Sequence, residues 1–396
     1  MIKIDDKSQC SGCGTCVIVC PKNCIQFSED EIGAKYPVVD VESCINCGKC
    51  EAVCPIQNSL HNRDIGKAVY AAYSNESNIR FRGSSGGMFE TFATKIIEDD
   101  GSVFASKFDD YLKLKCVEAT TIEEIRCLTK SKYLQSDCAS IFPLIKQRII
   151  EGRQVLFCAT PCQVSALEKY LGDLANYENV FLLDFFCHGI SSQSFFDKCI
   201  EYIEERNNIK ILEYQFRVKL PRGATPHYYS IKYRKNGVEK KKTALYTKDP
   251  YYLGFQKYIT LRNSCYHCPF GTGNHCGDIT IGDFHDIERY ITGINRFDGV
   301  STVIINSEKG QQLWNRITAQ LTSYEFNLEK LYKDEIVFAG GTIEPKGREE
   351  FLKDIKSMDF SSIVDKWLNS KKEWKKELYY SLPTFVRRYI KRIARI

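Results

Sequence analysis

The 396-residue sequence has no uninterrupted apolar run near the roughly 18 residues of a membrane-crossing helix, so no spanning segment is expected. Met1 to Gln9 are polar and charged and lack the apolar stretch of a secretory signal, so the expected location is the cytoplasm. Cysteine falls short of a disulfide scaffold: 19 residues is about 5% of the chain, against the roughly 8–10% that marks one. A dinucleotide fingerprint is missing too. Its nearest approach, Gly271 to Cys276, ends in cysteine and follows no strand, which argues against a standard Rossmann NAD site. The body also lacks net charge. Lys371 to Ile396 holds nine basic residues against Glu373 and Glu377, a net +7 within a total of +5, which leaves the other 370 residues at −2. Such a body offers no basic surface to nucleic acid.

What is present is a crowd of thiols. Nine of the 19 cysteines fall in the first 54 residues, and in a reducing compartment that reads as metal ligation rather than disulfides. Cys10, Cys13, Cys16 and Cys20, followed by Pro21, recur 34 residues later as Cys44, Cys47, Cys50 and Cys54, followed by Pro55. Three thiolates two residues apart wrap one corner of a 4Fe-4S cubane, and the fourth, before a proline, points to the other cluster. The expected sets are therefore Cys10, Cys13, Cys16 and Cys54 for one cluster, and Cys44, Cys47, Cys50 and Cys20 for the second. Gly12, Gly14 and Gly48 let backbone amides approach the sulfides. Two zinc sites are the competing reading, but zinc prefers ligand pairs with a longer spacer. Cys24 lies outside the repeat and reads as a core thiol. Residues 58–67 read as a linker.

From Ala68 the pattern becomes strand, loop, helix. Ala68 to Tyr73 reads as a strand, and Met88 to Ile97 carries the spacing of an amphipathic helix. Between them Arg82 to Gly87 (RGSSGG) could offer amides to an anion or be only a turn. Gln154 to Cys158 and Val180 to Phe185 read as buried strands. The first is followed by a loop Ala159 to Gln163, the second by Cys187-His188-Gly189 and a helix from Gln193 to Glu205. Such units imply a mainly parallel sheet with ligands at the carboxyl ends of its strands, which puts Cys162 and Cys187 at one edge. Tyr228 to Tyr246 reads as a hairpin turning at Asn236-Gly237. Cys265 and Cys268 supply two more thiolates, for a third cluster with Cys162 and Cys187, or for a redox dithiol or zinc half-site. Cys276 and Cys158 are reserves, and Cys116, Cys127, Cys138 and Cys199 read as buried fillers.

These motifs resemble the coenzyme F420 hydrogenase/dehydrogenase beta subunit family in its form with a fused two-cluster ferredoxin domain. The resemblance rests on Ser84 to Gly87, Ser131 to Ser136, Thr160 to Gln163, Cys187 to Gly189, and Cys265-x-x-Cys268 followed by Asp278 to Asp283, in that order. It implies an iron-sulfur flavoprotein oxidoreductase moving electrons between a hydride carrier such as coenzyme F420, FAD and the clusters. The alternative is an electron-delivery subunit serving another enzyme. By the same resemblance Ser84, Ser85, Gly86, Gly87, Lys132, Gln135 and Ser136 would line the FAD site, with Thr160 and Gln163 beside the body cluster. Lys132 would stabilise a reduced flavin or pair with a phosphate, and His188 would tune the cluster or relay a proton.

The expected fold is an α+β ferredoxin-like domain over residues 1–58, then an α/β domain over 68–320 (68–150 and 151–320) with a mainly parallel or mixed sheet. A helical extension with a basic tail follows over 321–396. The expected partners are a redox protein or complex and a small hydride carrier. The tail from Tyr379 is a candidate for peripheral contact with an anionic membrane, for partner docking, or for a solvated helix.

Overall fold

The computed structural model describes residues 1–58, 66, 68–220, 227–271, 275–285, 287–294, 298–327, 342–382 and 386–387. In the first 58 residues, strand β1 (Ile25–Glu29) pairs antiparallel with β2 (Lys35–Val39), Ile25 facing Val39. The two cysteine repeats fold alike. Each opens a one-turn helix, Thr15–Ile18 or Lys49–Ala52, from a left-handed glycine, Gly14 or Gly48. Two positions earlier in each repeat, Gly12 and Asn46 are also left-handed, at φ 68° and 52°. Glycine and asparagine are the residues that adopt this conformation at least cost.

The body is built on one eight-stranded sheet. In chain order its strands are β3 (Ala68–Ser74), β4 (Ser102–Phe108), β5 (Leu114–Ala119), β6 (Val155–Cys158) and β7 (Val180–Phe185). After three strands of a separate sheet, β8 (Lys210–Gln215), β9 (Tyr228–Lys235) and β10 (Val238–Leu245), come β11 (Ile279–Asp283), β12 (Ser301–Ile305) and β13 (Leu321–Phe326). The spatial order is β13-β3-β12-β11-β7-β6-β4-β5. Only β4–β6, β6–β7 and β7–β11 pair in parallel, and the outer pairings are antiparallel. The sheet is therefore mixed, with a four-stranded parallel centre, rather than mainly parallel. Those central strands are covered on both faces, as parallel strands require. Leu156, Phe181 and Leu183 face the helix Met88–Glu98 and Trp314, whereas Val155, Phe157, Val180 and Leu182 face the helices Phe142–Ile150 and Pro161–Leu171.

The hairpin read from the sequence is present, but it joins β8 in a three-stranded sheet apart from the main one. Its inner face packs Tyr214, Tyr229 and Ile231 with Phe216, Tyr251 and Tyr252, and with Phe351, Ile363 and Leu368 from the C-terminal helices. The main sheet continues past residue 320, since β13 pairs with β3. Helices Arg348–Ser357, Phe360–Trp367 and Trp374–Ser381 follow. Among the described residues no helix is long and apolar enough to cross a membrane.

Candidate functional site

The head gathers its thiols across the repeat. Cys16 has Cys13, Cys10, Cys54 and, last in effect, Cys50 as thiol neighbours, and burial followed by these thiols pushes its own thiol well up. Cys20 joins Cys44, Cys47 and Cys50 around a second, smaller recess with Gly48 on its wall. Cys24 is buried, as a core thiol should be, yet it borders that second recess with its Sγ 3.3 Å from Cys20 Sγ. Among the described residues no three ligand-type side chains close around a single ion. The donor sets instead have the all-thiol, cross-repeat composition that suits two cubanes.

The body brings four further thiols together: Cys268, Cys187 and Cys265 are the thiol neighbours of Cys162, and burial pushes all four thiols up. They come from three places in the fold, Cys265 and Cys268 sharing one. The helix after β6 starts at Pro161, with proline in its first turn, so Cys162 and Gln163 are helical rather than part of a loop. Cys187 follows β7, and Cys265 lies in the short turn Asn263–His267. An amide and a hydroxyl support them: the N–H of Ile190 donates to Cys265 Sγ at 3.4 Å, and Thr160 Oγ1 lies 3.2 Å from Cys162 Sγ. Gly189, at φ +120°, has no room for a Cβ, which would meet Leu261 at 2.6 Å and Cys265 Cβ at 3.2 Å. The reserve Cys276 sits in the core with its N–H held by Asp184, and Cys158 faces the cavity described next. Of the four expected fillers, Cys116, Cys138 and Cys199 are buried, but Cys127 is exposed, because the helix Ile122–Leu128 turns Ile125 and Leu128 inward. Cys13, Ile18 and Ile56 of the head pack on the same core as Cys162 and Cys268.

Beside this quartet lies a cavity of about 680 Å³, at the carboxyl ends of the parallel strands as the topology requires. That volume is in the range of cofactor sites. Its wall includes Thr160, Gln163 and the Cys187-His188-Gly189 turn, so cavity and thiols share a boundary. Ser84, Ser85, Gly87, Lys132, Ser136 and His188 are all on the wall. Ser84 Oγ accepts from the N–H of Ser131 at 2.8 Å, and Gln163 Nε2 donates to the Ser136 carbonyl at 2.9 Å. Two expected residues are not on the wall. Gly86 is wedged behind it: its amide donates to Ser301 Oγ, and a Cβ there would stand 2.4 Å from the Ala72 carbonyl. Gln135 turns away to the head, where its Nε2 donates to the carbonyls of Gly12 (2.6 Å) and Ser11 (3.1 Å).

The cavity is cationic. Lys132 donates to the carbonyls of Leu128 and Thr129 at 2.6 and 2.8 Å, and burial pulls its pKa down to about 7. Lys219, which sequence reasoning missed, donates to the carbonyls of Arg80 and Ser85 at 2.5 Å, and burial takes it to about 7 as well. Arg217, also missed, pairs with Asp283 at 2.6 Å, yet its Nε is buried with no hydrogen-bond partner. Burial lowers the pKa of His188, and His285 adds to the effect. A buried unpartnered donor on a residue of this cationic, partly aromatic wall fits an anionic cofactor. The one available sequence signal was Arg217-Val218-Lys219, two basic residues flanking a valine, and nothing local tied it to Ser84. Tyr379, Tyr380 and Arg387 also line the cavity. The described part of the tail thus folds onto the body and lends no support to a membrane contact. Residues 388–396 lie outside the described residues.

Two family models for the coenzyme F420 hydrogenase/dehydrogenase beta subunit match: residues 69–142 fit the model of its N-terminal part, and 152–328 fit the model of its C-terminal part. The chain belongs to the coenzyme F420 hydrogenase/dehydrogenase beta subunit family. Ahead of both segments, residues 9–58 match a 4Fe-4S dicluster domain, so this family member is an iron-sulfur subunit of oxidoreductase type. Among solved structures, a chain from the F420-reducing [NiFe] hydrogenase complex of Methanosarcina barkeri, studied by xenon derivatization, is similar at 16% identity and TM-score 0.44. The alignment covers 78% of this chain and 92% of that one. No curated protein matches. The two family segments meet at the cavity: the first supplies Ser84, Ser85 and Lys132, the second Thr160, Gln163, Cys187 and Arg217.

Proposed function

We propose that the chain is an iron-sulfur flavoprotein that passes electrons between a hydride carrier of the coenzyme F420 kind, FAD and three 4Fe-4S clusters. The observation that carries this reading is the shared wall: the cavity touches Thr160, Gln163 and Cys187, and Cys162 and Cys268 of the thiol quartet pack against the same core as Cys13 of the head. A bound flavin supplies the exchange between a two-electron hydride and single electrons. The protein's own residues do the rest. Arg217, Lys219 and Lys130 form the cationic part of the wall, suited to a diphosphate. Phe255 and Tyr258 provide apolar surface, and Lys132 holds a labile proton in a dry place. Cys162, Cys187, Cys265 and Cys268 would hold the body cluster, and the two head sets the other two. The exposed Cys47, next to exposed Ile45 and Val41, would be the outlet to a redox partner.

Anaerobic reconstitution with iron, sulfide and flavin quantified tests the reading. About twelve irons, three cubanes of four, and a flavin spectrum are expected. Oxidation of a hydride carrier by the isolated chain with an artificial acceptor would then separate an enzyme from a pure delivery subunit. About eight irons with no flavin would sink the proposal.

A further inference from the structure

A single arginine stands at the joint between head and body. Arg262 is 1% exposed and is the largest fully buried side chain among those described. Its Nε donates to the Cys10 carbonyl at 2.6 Å, and its Nη2 to Cys10 Sγ at 3.3 Å and to the Lys35 carbonyl at 2.7 Å. Nη1 reaches Gln135 Oε1 at 3.5 Å, and the guanidinium lies 4.1 Å over the ring of Tyr36. None of these partners is a carboxylate. On its backbone side, Arg262 donates its N–H to the Ile190 carbonyl and its own carbonyl accepts from the N–H of Cys265. Gly12 makes room for it, since a Cβ there would stand 2.5 Å from Nη1. The second thiol set is treated differently: Cys50 receives a neutral amide, from Ile2 at 3.3 Å.

We propose that Arg262 sets the electron affinity of the head cluster held by Cys10, Cys13, Cys16 and Cys54, by pressing a buried cation against the Cys10 thiolate. The inference rests on the reading that the head binds cubanes. Reduction adds one negative charge to a cluster, and hydrogen bonds to its sulfurs favour the reduced state. A guanidinium without a carboxylate partner, in a low-dielectric joint, favours it further. The cluster at the joint therefore draws electrons more strongly than it would without Arg262. Arg262 is a positioning residue: it touches a ligand and not the reacting carrier.

An EPR-monitored redox titration of the anaerobically prepared full chain tests this, wild type against Arg262→Gln and Arg262→Lys. In Arg262→Gln one head midpoint is expected to fall while the other stays. The electron-sharing equilibrium between the two head clusters should shift roughly tenfold, equivalent to about 59 mV for one electron. Arg262→Lys, which keeps the charge, recovers most of the shift. Two unmoved midpoints at full iron content would overturn the inference and leave the general reading standing. Should Arg262→Gln lose iron, wild-type protein labelled with ¹⁵N-arginine decides by hyperfine spectroscopy. A ¹⁵N coupling to a reduced head cluster is expected, and its absence overturns the inference. Wild-type protein with no 4Fe-4S signals sinks the general reading, and the inference falls with it.

Discussion

At the scale of single residues, thiols and lysines make separable predictions. Cys265→Ser removes one of four body ligands and none of the head's, so iron should fall from about twelve to about eight while the head's EPR signals persist. A loss of all iron instead would mean that the body quartet is no independent site. Lys132 and Lys219 are held near pKa 7 by burial, far below the ordinary lysine value. In the folded protein without ligand they release their protons above about pH 7, whereas the unfolded chain keeps them to about 10.4. Stability of the unliganded protein should therefore rise with pH between those limits, and Lys132→Met should flatten part of the rise in thermal melts. An anionic cofactor favours the charged lysines, so its affinity should weaken as pH climbs above about 7, read by fluorescence of released flavin. The two repeated cysteine motifs of the head were legible because their spacing is local. Lys219 and Arg217 were not, because their roles come from Ser85, Asp283 and Arg80, far away in the chain.

At the scale of elements, glycines separate turn chemistry from close packing. Gly86→Ala would drive a methyl into the Ala72 carbonyl at 2.4 Å, a backbone atom that cannot step aside. It should cost roughly 2–4 kcal/mol in chemical denaturation. Gly48, at φ +73° with nothing within 4 Å of its would-be Cβ, should cost only about 1 kcal/mol as alanine, the strain of a left-handed residue. Equal losses at both sites would refute the packing argument. The strand-loop-helix units around β6 and β7 were readable as apolar runs with turns after them. The antiparallel flanks were not, since β3, β12 and β13 look like any other short apolar strand until their partners are known. The start of the helix at Pro161 was missed because Ala159 to Gln163 was read as one loop between strand and helix, although a proline is well suited to a first helical turn.

At the scale of the whole molecule, the order of the sites suggests a line: cavity, body thiols, the joint at Cys10 and Cys13, then the exposed end at Cys47. Ile45 is 57% exposed beside that end. Ile45→Glu should leave turnover with a small artificial acceptor unchanged and slow transfer to a protein acceptor several-fold, measured by stopped-flow. An unchanged rate with the protein acceptor would move the outlet elsewhere.

By itself the amino-acid sequence determined the cluster chemistry, because cubane ligation is written in spacings of two and three residues that any fold must honour. It also determined the alternation of buried strands and helices, through apolar periodicity. Only the tertiary structure decided that four scattered cysteines meet and that Gln135 serves the head rather than the cavity. It also decided that Arg262 is buried against Cys10. These encounters join residues far apart in the chain, set by how the sheet and head dock, and no local pattern encodes them.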